Sequence, residues 1–360
     1  MNVVRPILHT GNASQSVGSD LNIREATEAD LDVIRELIVA IGNDERNRSY
    51  DHWRFFAGPY GNCPSVIAMD GARAVAFYTV WPVKLKLGNE IVSGAQSMDT
   101  MTHPDYRGRG LFIKLAMACY EICAERGYEA LYGFPNSNSY PGFLRRLNWD
   151  HTGDIVHWVR TLKLSKYRAV PKAVGPMIDA ASFLLPSGKI GDAQISFEIP
   201  DATSLQTLIN LSSDEKNTCR VHRDLNWFSW RYSPAAEKDF EWVCVHRGGK
   251  LVGLGIWGMQ NASWGQSSDG RARIGELMGE TPQDIEAVLA TIIKRARGRS
   301  AIVLESYCNM EPVVRAFRRA GFFRYKSAPF IVRGLTARNL DGNIHNHDAW
   351  RIAGGDWDGI

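Results

Sequence analysis

His103-Pro104-Asp105-Tyr106-Arg107-Gly108-Arg109-Gly110 lies between two readable stretches: residues from about Ser93 to Thr102, which read as a strand, and a helix that begins near Leu111 and continues through Leu115, Ala116, Cys119 and Ile122. The octapeptide is thus a strand-to-helix turn. Such a turn leaves several backbone N–H groups unpaired at the helix start, pointing along the positive end of the helix dipole. Gly108 and Gly110 allow the backbone to approach an anion with no Cβ in the way, and Arg107 and Arg109 add charge-assisted donors. A pyrophosphate fits such a place. Two better-known nucleotide motifs fail here. A P-loop needs Gly-Lys followed by Ser or Thr, and a dinucleotide fold needs GxGxxG with an acidic residue about twenty positions on.

Working outward, the chain repeats itself. Trp53-Arg54-Phe55 with Pro59 resembles Trp230-Arg231-Tyr232 with Pro234. Val75 follows the first Trp by 22 residues and Val252 follows the second by 22. Each lies in a pattern of strand, polar turn (Asp70-Gly71 or Gly248-Gly249) and strand, a hairpin signature. Both copies begin with an amphipathic helix, Thr27 to Val39 and Thr203 to Leu211. Both close alike, with Phe143-Leu144-Arg145-Arg146-Leu147-Asn148-Trp149 parallel to Phe317-Arg318-Arg319-Ala320-Gly321-Phe322. Each half reads β-α-β-β-β-α-β-α-β. A duplicated domain also suits 360 residues, which exceed the usual span of one domain.

Composition narrows the class. The chain is 44% apolar and 22% charged, as folded proteins are, and 42 basic against 39 acidic residues leave a net charge of +3. That is no phosphate-neutralising surface, so nucleic acid is not an expected partner. Cys119 and Cys123 fall four apart on the predicted helix with no second Cys or His pair at ligand spacing, so they read as buried small side chains and no metal is expected. Residues 1–20 read as a loose leader without a signal-peptide core, and no apolar run reaches membrane-spanning length. Cytoplasm is the default location. Between the copies, Lys163, Lys166, Arg168 and Lys172 precede the apolar Met177, Ile178, Phe183, Leu184 and Leu185; a packed linker is expected over a membrane-surface helix, because Pro186 and Gly188 break the apolar part.

The passage from Pro104 to Leu111 resembles the acetyl-CoA loop of the GNAT superfamily of N-acetyltransferases, written R/Q-x-x-G-x-G/A after a strand and before a helix. Arg107 and Gly110 match, and Phe112 departs from the last small residue. The helix near residue 30, the hairpin at 66 to 80, the strand Ala130 to Phe134 and Leu147-Asn148-Trp149, where the family commonly has Leu-Gly-Phe, agree with it over about residues 21–160. The resemblance implies an α/β (α+β) chain of two tandem GNAT-like domains, each a mixed, largely antiparallel sheet flanked by helices. The expected division is a leader 1–20, an N-terminal GNAT domain 21–160, a linker 161–194, a degenerate C-terminal copy 195–338 and a tail 339–360. In that second copy Ile274 to Gly279 runs into Glu280-Thr281-Pro282-Gln283-Asp284, where carboxylates would repel a pyrophosphate. One acyl-CoA site per chain is expected, in the first half.

The resemblance also implies the site. Met101 and Thr102 would serve as main-chain donors beside the thioester. Arg107, Gly108, Arg109, Gly110, Leu111 and Phe112 would hold the phosphates, and Asn136 and Asn138 would contact pantetheine or acceptor. Acyl transfer to an amine needs a base, an oxyanion donor and a proton for the thiolate. Asp99 is the nearest carboxylate on the strand and either faces the cleft as base or turns away into a structural pairing; His103 is the other candidate. The family's usual acid, a Tyr, falls on Leu144, so Tyr140 is the replacement considered. Tyr78, Trp81 and Trp230 are candidate acceptor-stacking residues, most aromatics being core. The tail, rich in Trp, Gly and Asp, is expected to dock back and bring Asp356 or Asp358 to the pocket mouth. The reading is an acetyl-CoA-dependent N-acetyltransferase acting on a primary amine of a small molecule, with an amino sugar or nucleotide-linked amino sugar leading. The alternatives are an aminoglycoside, polyamine or peptide amine as acceptor, or a non-catalytic acyl-CoA-binding regulatory protein.

Overall fold

Asp30 closes the first helical turn by accepting from the Thr27 main-chain N–H (2.8 Å) and hydroxyl (3.1 Å). After it, α1 (Leu31–Ala40) buries Leu31, Ile34, Leu37 and Ile38, the face that its apolar spacing predicts. The computed structural model describes residues 21–43, 46–163, 190–212, 217–236, 239–259, 270–336 and 343–359, with a few more between 165 and 179. The expected leader and most of the expected linker lie outside the described residues.

The first half runs β1 (Asn22–Glu25), α1, α2 (Arg48–Phe56), β2 (Ser65–Asp70), β3 (Arg73–Leu87), β4 (Glu90–Thr102), α3 (Leu111–Glu125), β5 (Ala130–Gly133), α4 (Tyr140–Arg146) and β6 (Asp150–Thr161). The second half follows the same plan: β7 (Gln194–Ser196), α5 (Ala202–Ser212), β8 (Cys219–Val221), α6 (Leu225–Arg231), β9 (Phe240–Arg247), β10 (Lys250–Met259), β11 (Arg271–Gly279), α7 (Pro282–Gly298), β12 (Val303–Tyr307), α8 (Glu311–Arg319) and β13 (Phe323–Gly334). The hairpin turns fall where expected, with Gly71, Gly248 and Gly249 all at positive φ. The Trp-Arg repeat lies on a second helix in each half, α2 and α6, which the sequence pattern did not resolve. Cys119 and Cys123 are buried on α3.

The two sheets are joined into one of 13 strands, in the order β1-β2-β3-β4-β5-β13-β6-β12-β11-β10-β9-β7, with β8 alongside β3. Among the described strands, only the β4–β5 and β11–β12 pairs are parallel. The last strand of each half is exchanged: β13 lies between β5 and β6, while β6 pairs with β12. Each sheet is therefore completed by the other half of the chain.

The repeat motifs meet at the centre. Trp53 stacks on Trp230 with ring centres 5.0 Å apart, its Nε1 donates to the Trp230 carbonyl (3.1 Å), and the Trp81 ring stands edge-on to both. Such aromatic pairs contribute about 0.5–1.5 kcal/mol each beyond their buried area. The 177-residue offset from Trp53 to Trp230 also carries Arg46 to Arg223 and Asp99 to Glu276. Both of those arginine–carboxylate pairs are ion pairs in the structure, at 3.5 Å and 3.0 Å. Duplication is visible in side-chain chemistry as well as in the strands. No helix among the described residues is long and apolar enough to cross a membrane.

Candidate active site

After β4 the chain makes a 3-10 turn, Pro104–Tyr106, and enters α3 through Gly108 (φ 77°) and Gly110 (φ 74°). Both glycines are in the left-handed region that side chains with a Cβ disfavour. They leave the first N–H groups of a 15-residue helix facing a groove of about 360 Å³. Thr102, Tyr106, Arg107, Leu111, Phe112 and the two glycines border it, as does Arg146 from α4. Arg109 does not. Its guanidinium lies over the Tyr106 ring (4.6 Å) and donates to the Asp105 carbonyl (3.1 Å), so the second cation at this groove is Arg146. Phe112, large where a small residue was expected, is accommodated by Gly142: a Cβ there would stand 2.6 Å from the ring.

The groove continues, past Thr102, Arg107 and Phe112, into a cavity of about 890 Å³. Sheet geometry makes it. β4 and β5 pair in parallel up to Ser97 and Gly133 and then part, while β4 remains paired with β3 as far as Thr102. His103 N–H donates to Val75 on the β3 side (2.8 Å). Strand alternation therefore turns the Thr102 N–H toward the opening and the Met101 N–H toward β3. Of the two expected main-chain donors, only Thr102 has its N–H on the cavity side; Met101 borders the cavity with other atoms. Asn136 and Asn138 border it too, and the Asn136 side-chain oxygen accepts from the Asn138 and Ser139 N–H groups (both 3.0 Å), shaping the entry to α4.

Asp99 sits on a bulge of β4, where the register with β3 shifts between Phe77 and Thr79, and its φ is 39°. A bulge at this position re-aims the side chain. Its carboxylate accepts from Arg54 Nε (2.6 Å) and pairs with Arg46. Burial pushes its pKa up, but the Arg54 and Arg46 charges outweigh burial and hold it at about 2. Asp99 borders the cavity, yet so strong an acid accepts a proton poorly at neutral pH. Arg54 is shared. Its Nη2 donates to Asp358 of the tail (2.8 Å), whose other oxygen accepts from Gln96 Nε2 (2.9 Å). Burial raises the Asp358 carboxyl above its ordinary range against the pull of Arg54, and the charge on Asp99 adds to the rise. Two carboxylates with pKa values pushed apart stand at one cavity.

The remaining expectations fare differently. His103 is bonded by Arg73 and by the Asp105 N–H, and Tyr140 OH meets His151 Nδ1 (2.9 Å); neither borders the cavity or the groove. Tyr78 is fully buried and bonded to Ser97 and Tyr120, Trp81 donates to the Arg54 carbonyl (2.9 Å), and Trp230 belongs to the Trp53 stack. All three are core residues, buried away from the cavity. Asp356 is likewise buried and paired with Arg223. The tail instead brings Trp357 and Asp358 to the cavity. Sequence reasoning missed Arg54, Gln96, Arg146 and Trp357. The signal for Arg54 was its place in the repeated Trp-Arg motif, since a buried arginine requires an acidic or carbonyl partner.

The second half caps the equivalent helix start with its own side chains. α7 begins with a reciprocal cap in which the Asp284 carboxylate accepts from the Thr281 N–H (3.1 Å) and hydroxyl (2.6 Å) and also binds Arg247 (2.8 Å). A carboxylate of the chain itself takes the position where an anion would bind.

A sheet splayed at the fourth and fifth strands, with a glycine-rich turn leading into a helix beside the opening, defines the class of GNAT-fold acyltransferases. Residues 22–152 match the family model described as "Acetyltransferase (GNAT) domain". Among functionally curated proteins, none matches the sequence. Solved structures show that the fold extends across both halves. A probable N-acyltransferase from Enterococcus faecalis V583 is 14% identical over 88% of this chain and 72% of its own, with a TM-score of 0.62. A tandem GNAT protein from the clavulanic acid biosynthesis pathway is 14% identical over 89% of this chain and 100% of its own, with a TM-score of 0.56. A glucosamine N-acetyltransferase region of a fungal multi-domain β-N-acetylglucosaminidase is 12% identical over 88% of this chain and 38% of its own, with a TM-score of 0.58. The chain has the tandem GNAT fold.

Proposed function

We propose that the chain transfers an acetyl group from acetyl-CoA to a primary amine of a small molecule, at the single cleft of the first half. The observation that carries this is the continuity of the Arg107–Gly110 groove with the cavity between β4 and β5. The groove offers helix N–H groups, Arg107 and Arg146 to a pyrophosphate, and the parted strands leave the Thr102 N–H where a thioester carbonyl would lie. The amine nitrogen forms a bond to the acyl carbon as the carbon–sulfur bond breaks. The ammonium proton passes to Asp358, whose raised pKa suits it better than Asp99, and the thiolate leaves and takes a proton from water.

An amino sugar, free or nucleotide-linked, is the acceptor we favour. Asp99 and Asp358 give the ammonium group two carboxylates, and Trp357 offers an aromatic face to a sugar ring. The fungal structural relative is described as a glucosamine N-acetyltransferase region. Aminoglycosides, polyamines and peptide amines are the other acceptors of the same chemistry. A second reading, an acyl-CoA-binding regulatory protein without turnover, is favoured by Leu144 at the family's Tyr position and by Tyr140 lying outside the cavity. The test is to incubate a panel of amines with acetyl-CoA while following free thiol. Acceptor-dependent release, greatest for amino sugars, is expected. CoA binding without release for any amine would favour the regulatory reading.

A further inference from the structure

The second half has a cleft of its own. β11 and β12 part after Arg273 and Glu305, as β4 and β5 part after Ser97 and Gly133. The chain's tail stands in that opening. Ile352 is bonded to Asn309 in both directions, its N–H to Oδ1 at 2.8 Å and its carbonyl to the Asn309 N–H at 3.3 Å. The 3-10 turn Gly354–Asp356 then packs on β11. It does so closely enough that a Cβ on Gly355 would stand 2.2 Å from Glu276 Oε1. From there the tail crosses into the first half, where Trp357 stacks on Phe134 (5.1 Å, planes 22° apart) and Asp358 meets Arg54 and Gln96.

At the crossing is Arg231, the repeat partner of Arg54 and 1% exposed. Its Nε donates to the Gly355 carbonyl (3.3 Å) and its Nη2 to the Trp357 carbonyl (2.9 Å). One planar fork thereby fixes the backbone on both sides of the residue that precedes Trp357 and up to the residue that precedes Asp358. We propose that the second half takes part in the reaction by binding the chain's own tail in the cleft where the first half would take its acyl donor, with Arg231 as the positioning residue for Trp357 and Asp358. This rests on the acyl-transfer reading above. The two arginines of the repeat then have divided duties: Arg54 holds the Asp358 side chain, and Arg231 holds the main chain that delivers it. The Arg231 charge also acts on Asp358, drawing its pKa down against burial.

The experiment compares wild type, R231K and R231Q in kcat, KM, the pH profile and CoA binding by calorimetry, using acetyl-CoA and the best amine of the panel. R231Q removes both the fork and the charge. Its kcat should fall at least about tenfold with CoA affinity within about twofold of wild type, and the acidic limb of its profile should move up by about one pH unit. R231K keeps the charge but a point ammonium cannot hold two carbonyls as the fork does, so kcat should fall while the limb stays. A merely structural arginine would not separate the limb from the rate in this way. An active wild type with R231Q unchanged in kcat and limb takes down this role alone; a wild type inert to every amine takes down the acyl-transfer reading with it. Should R231Q fail to fold, R231K decides: an unaltered kcat overturns the proposal.

Discussion

The two halves carry the same opening in the sheet and treat it oppositely. In the first, Gly108 and Gly110 hold the helix start clear and the parted strands enclose a cavity of about 890 Å³. In the second, Asp284 caps the helix start and the tail fills part of the opening, leaving a cavity of about 340 Å³. Asp99 and Glu276, partners at the repeat offset, differ as well: burial and the Asp356 charge raise the pKa of Glu276 against the pull of Arg223, while Arg54 and Arg46 hold Asp99 at about 2. The difference teaches that a duplicated opening can keep its shape while its rim changes, because the shape comes from strand register and the rim from a few side chains.

The sharpest way to break the comparison is Asp358→Asn. If the tail carries the proton acceptor, kcat should fall by roughly 10²–10³-fold, with CoA affinity unchanged; a rate within threefold of wild type would leave the first cleft without its base. Next is charge at the groove. Arg146→Glu should weaken CoA binding by at least about tenfold, the worth of a charge-assisted hydrogen bond. Arg109→Glu, with its guanidinium turned onto Tyr106, should change it less than threefold, and calorimetry showing the opposite order would return the phosphates to Arg109.

Much of this was legible. Spacing alone located the β4 turn, the start of α3, both hairpins and the duplication, because period and glycine placement are local properties. The exchange of β6 and β13 was not, since each strand reads the same whichever neighbour it pairs with. Asp99 was found with its role left open between base and structural pairing: the sequence shows a carboxylate on a strand, while its acidity depends on Arg46 and Arg54 arriving from distant positions. Trp81 and Trp230 looked like stacking residues because an aromatic's exposure is set by tertiary packing. Asp358, two residues beyond Asp356, meets Arg54 and Gln96 of the first half, whereas Asp356 meets Arg223 of the second, a division no local pattern reveals.

A smaller effect concerns pH. Asp99 has a folded pKa of about 2, below its unfolded value, so the stability it contributes is present above about pH 4 and is lost as pH falls from there toward 2. That contribution is about 2 kcal/mol, offset in part by Asp358, whose raised pKa acts in the opposite sense. Asp99→Asn should flatten the acid side of a urea-denaturation series measured against pH. It should also shift the acidic limb of activity to lower pH by removing a negative charge beside Asp358; an unmoved limb would uncouple the two carboxylates. Least of all, Thr281→Ala should cost about 1 kcal/mol of stability as a lost cap and leave CoA binding untouched. Any change in CoA affinity would show that the second cleft is not closed to the donor.

The crossing of the final strands sets a schedule for synthesis. A ribosome that has released β6 has made a first half whose β5 lacks its neighbour until β13 emerges, so both edges of the central gap stay open while the whole second half is translated. Pairing across so long a stretch of chain is slow, and exposed edges invite wrong partners meanwhile. Neither copy can be lost, transplanted or expressed by itself as a finished sheet, which gives the second half a hold on the first that is independent of chemistry.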